Sequence, residues 1–261
     1  MSKQNFTLQT SNLSIGYKSK SETITIAKNI NLGLEKGKLI ALIGENGIGK
    51  STLLKTLIGI IPPLSGEVTL LNKLLKSYTP LDLAQELSIV LTEKLPPSNL
   101  TVYEIIALGR QPYTNWLGTL SGEDKIKINE AIELTEIQHL VNKKYDEISD
   151  GQLQIALIAR ALTQDTSIII LDEPTTHLDL VHKAILLKLL QKLTNETGKT
   201  ILYSTHDIDL AIQMSDEMIV FTSTQIVQDE PCSLIKTGIF NTLFDTKYLI
   251  FDTYIGKFKI K

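Results

Sequence analysis

Cysteine is nearly absent from this sequence. The single thiol, Cys232, leaves no intrachain disulfide to form and no set of thiolates for an all-cysteine zinc site. Histidines are also few. His139, His177, His182 and His206 show neither HExxH nor another paired-ligand spacing, so a histidine-based metal centre is not expected. The first ten residues are polar and lack the apolar core of a signal peptide. No stretch approaches the roughly 18 to 20 uninterrupted apolar residues that a membrane span requires. There is no basic excess either. Lys and Arg number 26 against 29 Asp and Glu, a net charge of −3, which argues against a surface coated for nucleic acid. Together these absences exclude secreted, fibrous and integral-membrane classes and predict a soluble intracellular protein.

The chain is long enough to bury a sizeable core without staples. Its 261 residues are 43% apolar and 21% charged, in the range of one or two globular domains. Residues 38–43 form a short apolar run between Gly37 and Gly44 and read as a buried strand. A glycine-rich loop follows, then a helix over 51–58. Beyond Pro62, Pro63 and Gly66, residues 68–71 read as a strand, 81–87 as a short helix and 88–91 as another strand. From about 93 to 160 the apolar spacing is helical. Ser121 with Asp124 three residues on marks one helix start, and Ser149 opens the next. Strands then return at 167–171, 200–204 and 218–222, alternating with helices at 184–193 and 207–214. That alternation predicts a parallel α/β sheet with a helical insertion. The last forty or so residues suggest no chemistry.

Two segments carry chemistry. Residues 44–52, Gly-Glu-Asn-Gly-Ile-Gly-Lys-Ser-Thr, fit G-x-x-x-x-G-K-[ST]. Glycines allow backbone conformations closed to other residues, so the loop's N–H groups can turn around an anion at a helix N-terminus. Lys50 would reach terminal phosphates and Ser51 would offer its hydroxyl to Mg²⁺; the bland alternative is a glycine turn before an ordinary helix. The second segment is the apolar run Ile168-Ile169-Ile170-Leu171, ending in Asp172 and Glu173. At the carboxyl end of a parallel strand, Asp172 would hold Mg²⁺ and Glu173 would take a proton from attacking water. The alternative is an acidic turn before Pro174. His206 also follows a strand, either to sense the terminal phosphate or as a structural histidine.

The order of these motifs resembles the nucleotide-binding subunit of ATP-binding-cassette (ABC) transporters over nearly the whole chain. It runs from the phosphate loop through Ser149-Asp150-Gly151-Gln152, Asp172-Glu173-Pro174-Thr175 and His177-Leu178-Asp179 to Ser204-Thr205-His206-Asp207. The resemblance implies a single domain over 1–261 with a phosphate-loop NTPase core (about 1–92 and 161–221). It adds an N-terminal antiparallel β portion, a helical subdomain (about 93–160) and a C-terminal segment (222–261). It also implies roles. Tyr17 stacks on adenine, and Gly44, Asn46, Gly47, Gly49, Lys50, Ser51 and Thr52 cradle the phosphates and Mg²⁺. Ser149, Gly151 and Gln152 belong to the signature that meets ATP held by the other subunit. Asp172 is the metal carboxylate, Glu173 the base, Asp179 the loop aspartate that communicates across the dimer and His206 the switch histidine. Lys50, Glu173 and His206 form the catalytic set.

Two positions depart from the family pattern. Thr92 stands where the family has the glutamine that reaches Mg²⁺ and couples to the membrane subunit, and by position it would be a metal ligand with Ser51 and Asp172. Asp150 stands where glycine is commoner, and is expected to point away from phosphate or to cap a backbone N–H. Residues 105–118, Ile-Ile-Ala-Leu-Gly-Arg-Gln-Pro-Tyr-Thr-Asn-Trp-Leu-Gly, resemble a segment of importers of iron-siderophore complexes, haem and vitamin B12. The competing reading is a helix end and a loop anchored by the only tryptophan.

The resemblance therefore implies an ATP-hydrolysing subunit that works as a homodimer with ATP and Mg²⁺. It would sit peripherally on the cytoplasmic face of the membrane, bound to separate permease subunits and served indirectly by a substrate-binding protein, with no nucleic-acid partner. The alternatives are a cassette ATPase acting on ribosomes or DNA, a cassette for another cargo, and a small-molecule kinase.

Overall fold

Every residue of Leu39–Gly44 is buried in the computed structural model, as its uninterrupted apolar run requires. The structure describes residues 5–20, 22–91, 98–244 and 248–261. Contacts divide the chain into two compact units, Met1–Ser77 with Thr200–Lys261, and Tyr78–Lys199.

The first unit begins with antiparallel strands, as expected for the N-terminal portion. Strand β1 (Phe6–Lys18) pairs with β2 (Thr23–Ile30), β3 (Gly33–Glu35) and β5 (Ser65–Leu70), and β6 (Lys73–Leu74) extends β5. Between them lie β4 (Leu39–Gly44) and α1 (Lys50–Leu57). A Cβ on Gly16 would fall 2.0 Å from the Ile24 carbonyl oxygen. Only glycine therefore lets β1 lie this close to β2 just before Tyr17.

In the second unit, α2 (Pro80–Glu86) and β7 (Leu87–Val90) precede the helices α3 (Val102–Ala107), α4 (Gly122–Leu134) and α5 (Asp150–Thr163). These bury one apolar cluster that includes Val102, Ile106, Ile128, Ile132, Ala156 and Ala159. Among the described residues the helical insertion is thus three α-helices joined by 3₁₀ turns and loops. Its starts are chemically fixed. Ser121 N–H donates to Asp124 Oδ2 (2.8 Å) while Asp124 N–H donates to Ser121 Oγ (3.1 Å), the reciprocal cap read from the sequence. Then β8 (Ile168–Leu171), buried throughout, pairs parallel with β7, and α6 (Leu180–Thr197) follows. Helix α6 is longer at both ends than the expected 184–193. Asp179 caps its start, and Gly198, at φ 65°, ends it.

The competing reading of residues 105–118, a loop anchored by the tryptophan, does not hold. Trp116 does not hold the loop after α3; it is 91% exposed. Arg110 does that instead. Its Nε donates to Asp124 Oδ1 (2.7 Å), one terminal nitrogen donates to Thr163 O (3.0 Å), and the guanidinium lies over the Tyr113 ring (3.9 Å to the centroid). A guanidinium has five donors, so it can be buried only where acceptors converge, and here they do.

The chain returns to the first unit with β9 (Thr200–Ser204), α7 (Ile208–Met214), β10 (Glu217–Phe221) and β11 (Ile226–Asp229). Within this unit the strand order is β11-β10-β4-β9, with β4 parallel to both β10 and β9. The C-terminal stretch, which the sequence left without an assignment, forms α8 (Pro231–Thr237) and a hairpin of β12 (Leu249–Asp252) and β13 (Lys257–Ile260). Phe251 stacks on Phe240 (4.7 Å between centroids) and meets Phe258 edge-on (5.0 Å).

Candidate active site

In the first unit the phosphate loop leaves the carboxyl end of β4. Gly47 and Gly49 have φ 75° and 119°, conformations that side chains resist, and Gly49 is the N-cap of α1. Lys50 is 5% exposed. Its Nζ donates to the carbonyls of Gly44 (2.8 Å) and Glu45 (3.0 Å), so the ammonium lies across the loop it belongs to. Ser51 is exposed in the first turn of α1, while Thr52 is buried and its hydroxyl lies 3.0 Å from that of Tyr17. Tyr17 itself is half-exposed. Gly44 is buried, whereas Asn46 and Gly47 are exposed at the tip of the loop. Strand β9 is the parallel neighbour of β4, with Ser204 opposite Leu42. His206 therefore emerges at the same sheet edge as the phosphate loop, where parallel sheets place ligands. It is exposed.

In the second unit Asp172 follows β8 and is 8% exposed; its N–H donates to Val90 O on the neighbouring strand (2.8 Å). Glu173 has φ 50°, a left-handed conformation rare for a residue with a side chain. Such strain persists only where the surroundings enforce it, and it gathers at functional sites. Here the turn is closed by Thr176 N–H donating to Glu173 O (3.1 Å), and Thr176 Oγ1 donates to Glu173 Oε2 (3.1 Å). Thr92, the residue in place of the usual glutamine, lies outside the described residues.

Ser149 opens α5. Ser149 N–H donates to Gln152 Oε1 (3.1 Å) and Gln152 N–H to Ser149 Oγ (3.3 Å). The cap is therefore Ser149 rather than Asp150, which lies in the first helical turn, where a carboxylate complements the helix dipole. Gly151 faces the loop before α6. A Cβ there would come within 3.4 Å of Leu178 Cδ2 and 3.8 Å of His182 Cδ2. Asp179 Oδ1 accepts from the His182 N–H (2.9 Å) and lies 2.9 Å from its Nδ1. These hydrogen bonds hold the Asp179 carboxyl below the usual aspartate value, the backbone one contributing most.

The family described as ABC transporter matches residues 27–176, a span that holds the phosphate loop, the Ser149 helix and the acidic pair. The chain belongs to the ABC transporter family. An uncharacterized ABC transporter ATP-binding protein of Methanocaldococcus jannaschii is 39% identical over 97% of this chain and 87% of its own length. The achromobactin transport ATP-binding protein of Dickeya dadantii is 38% identical over 89% of this chain and 86% of its own. The iron(3+)-hydroxamate import ATP-binding protein of Bacillus subtilis is 37% identical over 85% and 81%. Among solved structures, an inward-facing metal-chelate type ABC transporter superposes with a TM-score of 0.79 at 28% identity, covering 92% of this chain and 89% of that one. As an ABC cassette the chain is an ATP-binding, ATP-hydrolysing transporter subunit.

Two features of this ABC chain escaped sequence reasoning. One is Thr176, whose hydroxyl on Glu173 is signalled only by a threonine one turn beyond the acidic pair. The other is His182, whose ring meets Asp179 because both lie at one helix start; the pattern Asp-x-x-His before an apolar helix would have found it. Among the described residues no three His, Cys, Asp or Glu gather as a metal cluster, and no helix is long and apolar enough to cross a membrane. Taken each in its own unit, Asp172 is a buried carboxylate and Ser51 an exposed hydroxyl, both hard oxygen donors of the chemistry that suits Mg²⁺.

Proposed function

We propose that this chain powers an importer of iron-siderophore, haem or cobalamin-type substrates, as a homodimer on the cytoplasmic face of separate permease subunits. The observation that carries the catalytic part is Glu173, held in a left-handed conformation directly after the buried strand-end Asp172. The similarity to achromobactin and iron(3+)-hydroxamate subunits, at 38% and 37% identity, supports the cargo class.

In this reading Tyr17 stacks on adenine, and the loop N–H groups from Gly44 to Thr52 surround the phosphates. Lys50 turns its ammonium from the Gly44 and Glu45 carbonyls to the terminal phosphates and neutralises the charge that develops there. By the family resemblance Ser51 and Asp172 would each be ligands of Mg²⁺, which would supply positive charge to offset the negative charge of the phosphates. Glu173 accepts the hydrogen bond of the attacking water and orients it, and His206 touches the γ-phosphate. Ser149, Gly151 and Gln152 complete the pocket of the other copy, and Asp179 meets that copy at the start of α6. ATP favours the closed dimer because only there does it gain both sets of contacts, and hydrolysis removes the preference. Glu173→Gln should leave ATP binding intact and reduce hydrolysis at least a hundredfold. A variant that releases phosphate at the unmodified rate would refute the base assignment.

A further inference from the structure

We infer that Thr176 is a positioning residue for hydrolysis, acting through Glu173. The inference rests on the reading of Glu173 as the group that orients water. Glu173 follows the end of β8 with φ 50°, so its side chain leaves the backbone in a direction that ordinary strand geometry does not give. Two bonds from one residue help to hold that direction. The Thr176 N–H closes the turn on Glu173 O at 3.1 Å, and the Thr176 hydroxyl donates to Glu173 Oε2 at 3.1 Å. The first holds the backbone and any residue but proline would supply it. The second holds the carboxylate plane and needs a hydroxyl.

The turn is itself braced. Thr175 is buried, Leu178 N–H donates to Thr175 O (3.3 Å), and His177 has φ 68°. Asp179 then caps α6. Thr176 thus sits in a run of linked turns between the carboxylate that orients water and the aspartate that caps α6. A flexible glutamate has three side-chain torsions, and a base even about 1 Å out of place loses up to roughly a hundredfold in rate. A hydroxyl one turn away removes much of that freedom.

The test uses the purified chain in steady-state ATPase assays. Thr176→Val keeps the shape and the backbone N–H but removes the donor; Thr176→Ser keeps the donor but removes the methyl. The expected result is a kcat about tenfold lower for T176V, with KM for ATP within about twofold and T176S within about twofold of the parent in both constants. A role in packing alone reverses the order, because the valine retains the methyl and the serine does not. Thr176→Ala serves if T176V does not fold, with the same expected loss of kcat. Equal kcat for the parent and T176V, or a loss in T176S that T176V does not share, overturns the inference. The Glu173→Gln control separates the two readings. An inactive E173Q with an unaffected T176V overturns only the role of Thr176, whereas an active E173Q overturns both.

Discussion

Single residues in this protein are held by convergent hydrogen bonds more than by charge alone. Arg110 and Asp124 make the clearest case, an ion pair at 2.7 Å with both side chains 5% exposed. Burial by itself pushes the Asp124 carboxyl up, but hydrogen bonds from the Ser121 N–H and hydroxyl and from Arg110 outweigh it and hold the group below its ordinary value. A depressed pKa in the folded state means that the pair stabilises the protein above the ordinary aspartate value of 3.8. That stability is lost as pH falls below 3.8 toward the lower folded value. Asp124→Ala should therefore lower the unfolding free energy at neutral pH by about 3 to 5 kcal/mol, measured by urea denaturation, because it leaves a buried guanidinium without its carboxylate. The same variant should lose less stability than the parent between pH 5 and pH 3. An unchanged acid limb would show that Asp124 does not titrate in this window.

At the scale of elements, caps and close approaches fix where helices start and how tightly they pack. A Cβ on Gly109 would fall 2.2 Å from Arg160 O, so the 3₁₀ turn after α3 rests on the backbone of α5. Gly109→Ala should cost about 1 to 3 kcal/mol of stability, seen as a lower urea midpoint. A midpoint equal to the parent's would mean that the two segments part without cost. Most of these elements were legible in the sequence. Apolar runs gave the buried strands Leu39–Gly44 and Ile168–Leu171, and Ser121 with Asp124 gave a helix start that the structure reproduces. What was not legible depends on partners distant in sequence. Nothing local distinguishes an exposed Trp116 from an anchoring one. The anchor is instead Arg110, whose acceptors lie 14 and 53 residues away. The C-terminal hairpin was likewise hidden, because its aromatic contacts join Phe240, Phe251 and Phe258 across turns that carry no periodic signal. In the candidate site, motif spacing singled out Lys50, Asp172 and Glu173 as candidates, whereas the left-handed backbone of Glu173 and the hydroxyl on its carboxylate depend on a turn that carries no local signal.

At the scale of the whole molecule, the phosphate loop of one copy and the Ser149 helix of a second copy close the two sides of ATP in the proposed function. Leu180, Val181 and Ile185, in the first two turns of α6 after its cap Asp179, are exposed apolar side chains that such a pair would cover. The mass of Glu173→Gln in solution, measured by light scattering at saturating MgATP and again with the magnesium chelated, tests this most directly. The account predicts a mass twice that of one chain with MgATP and a return to one chain when the metal is removed. A variant that binds ATP yet keeps the mass of a single chain at every nucleotide concentration would contradict it.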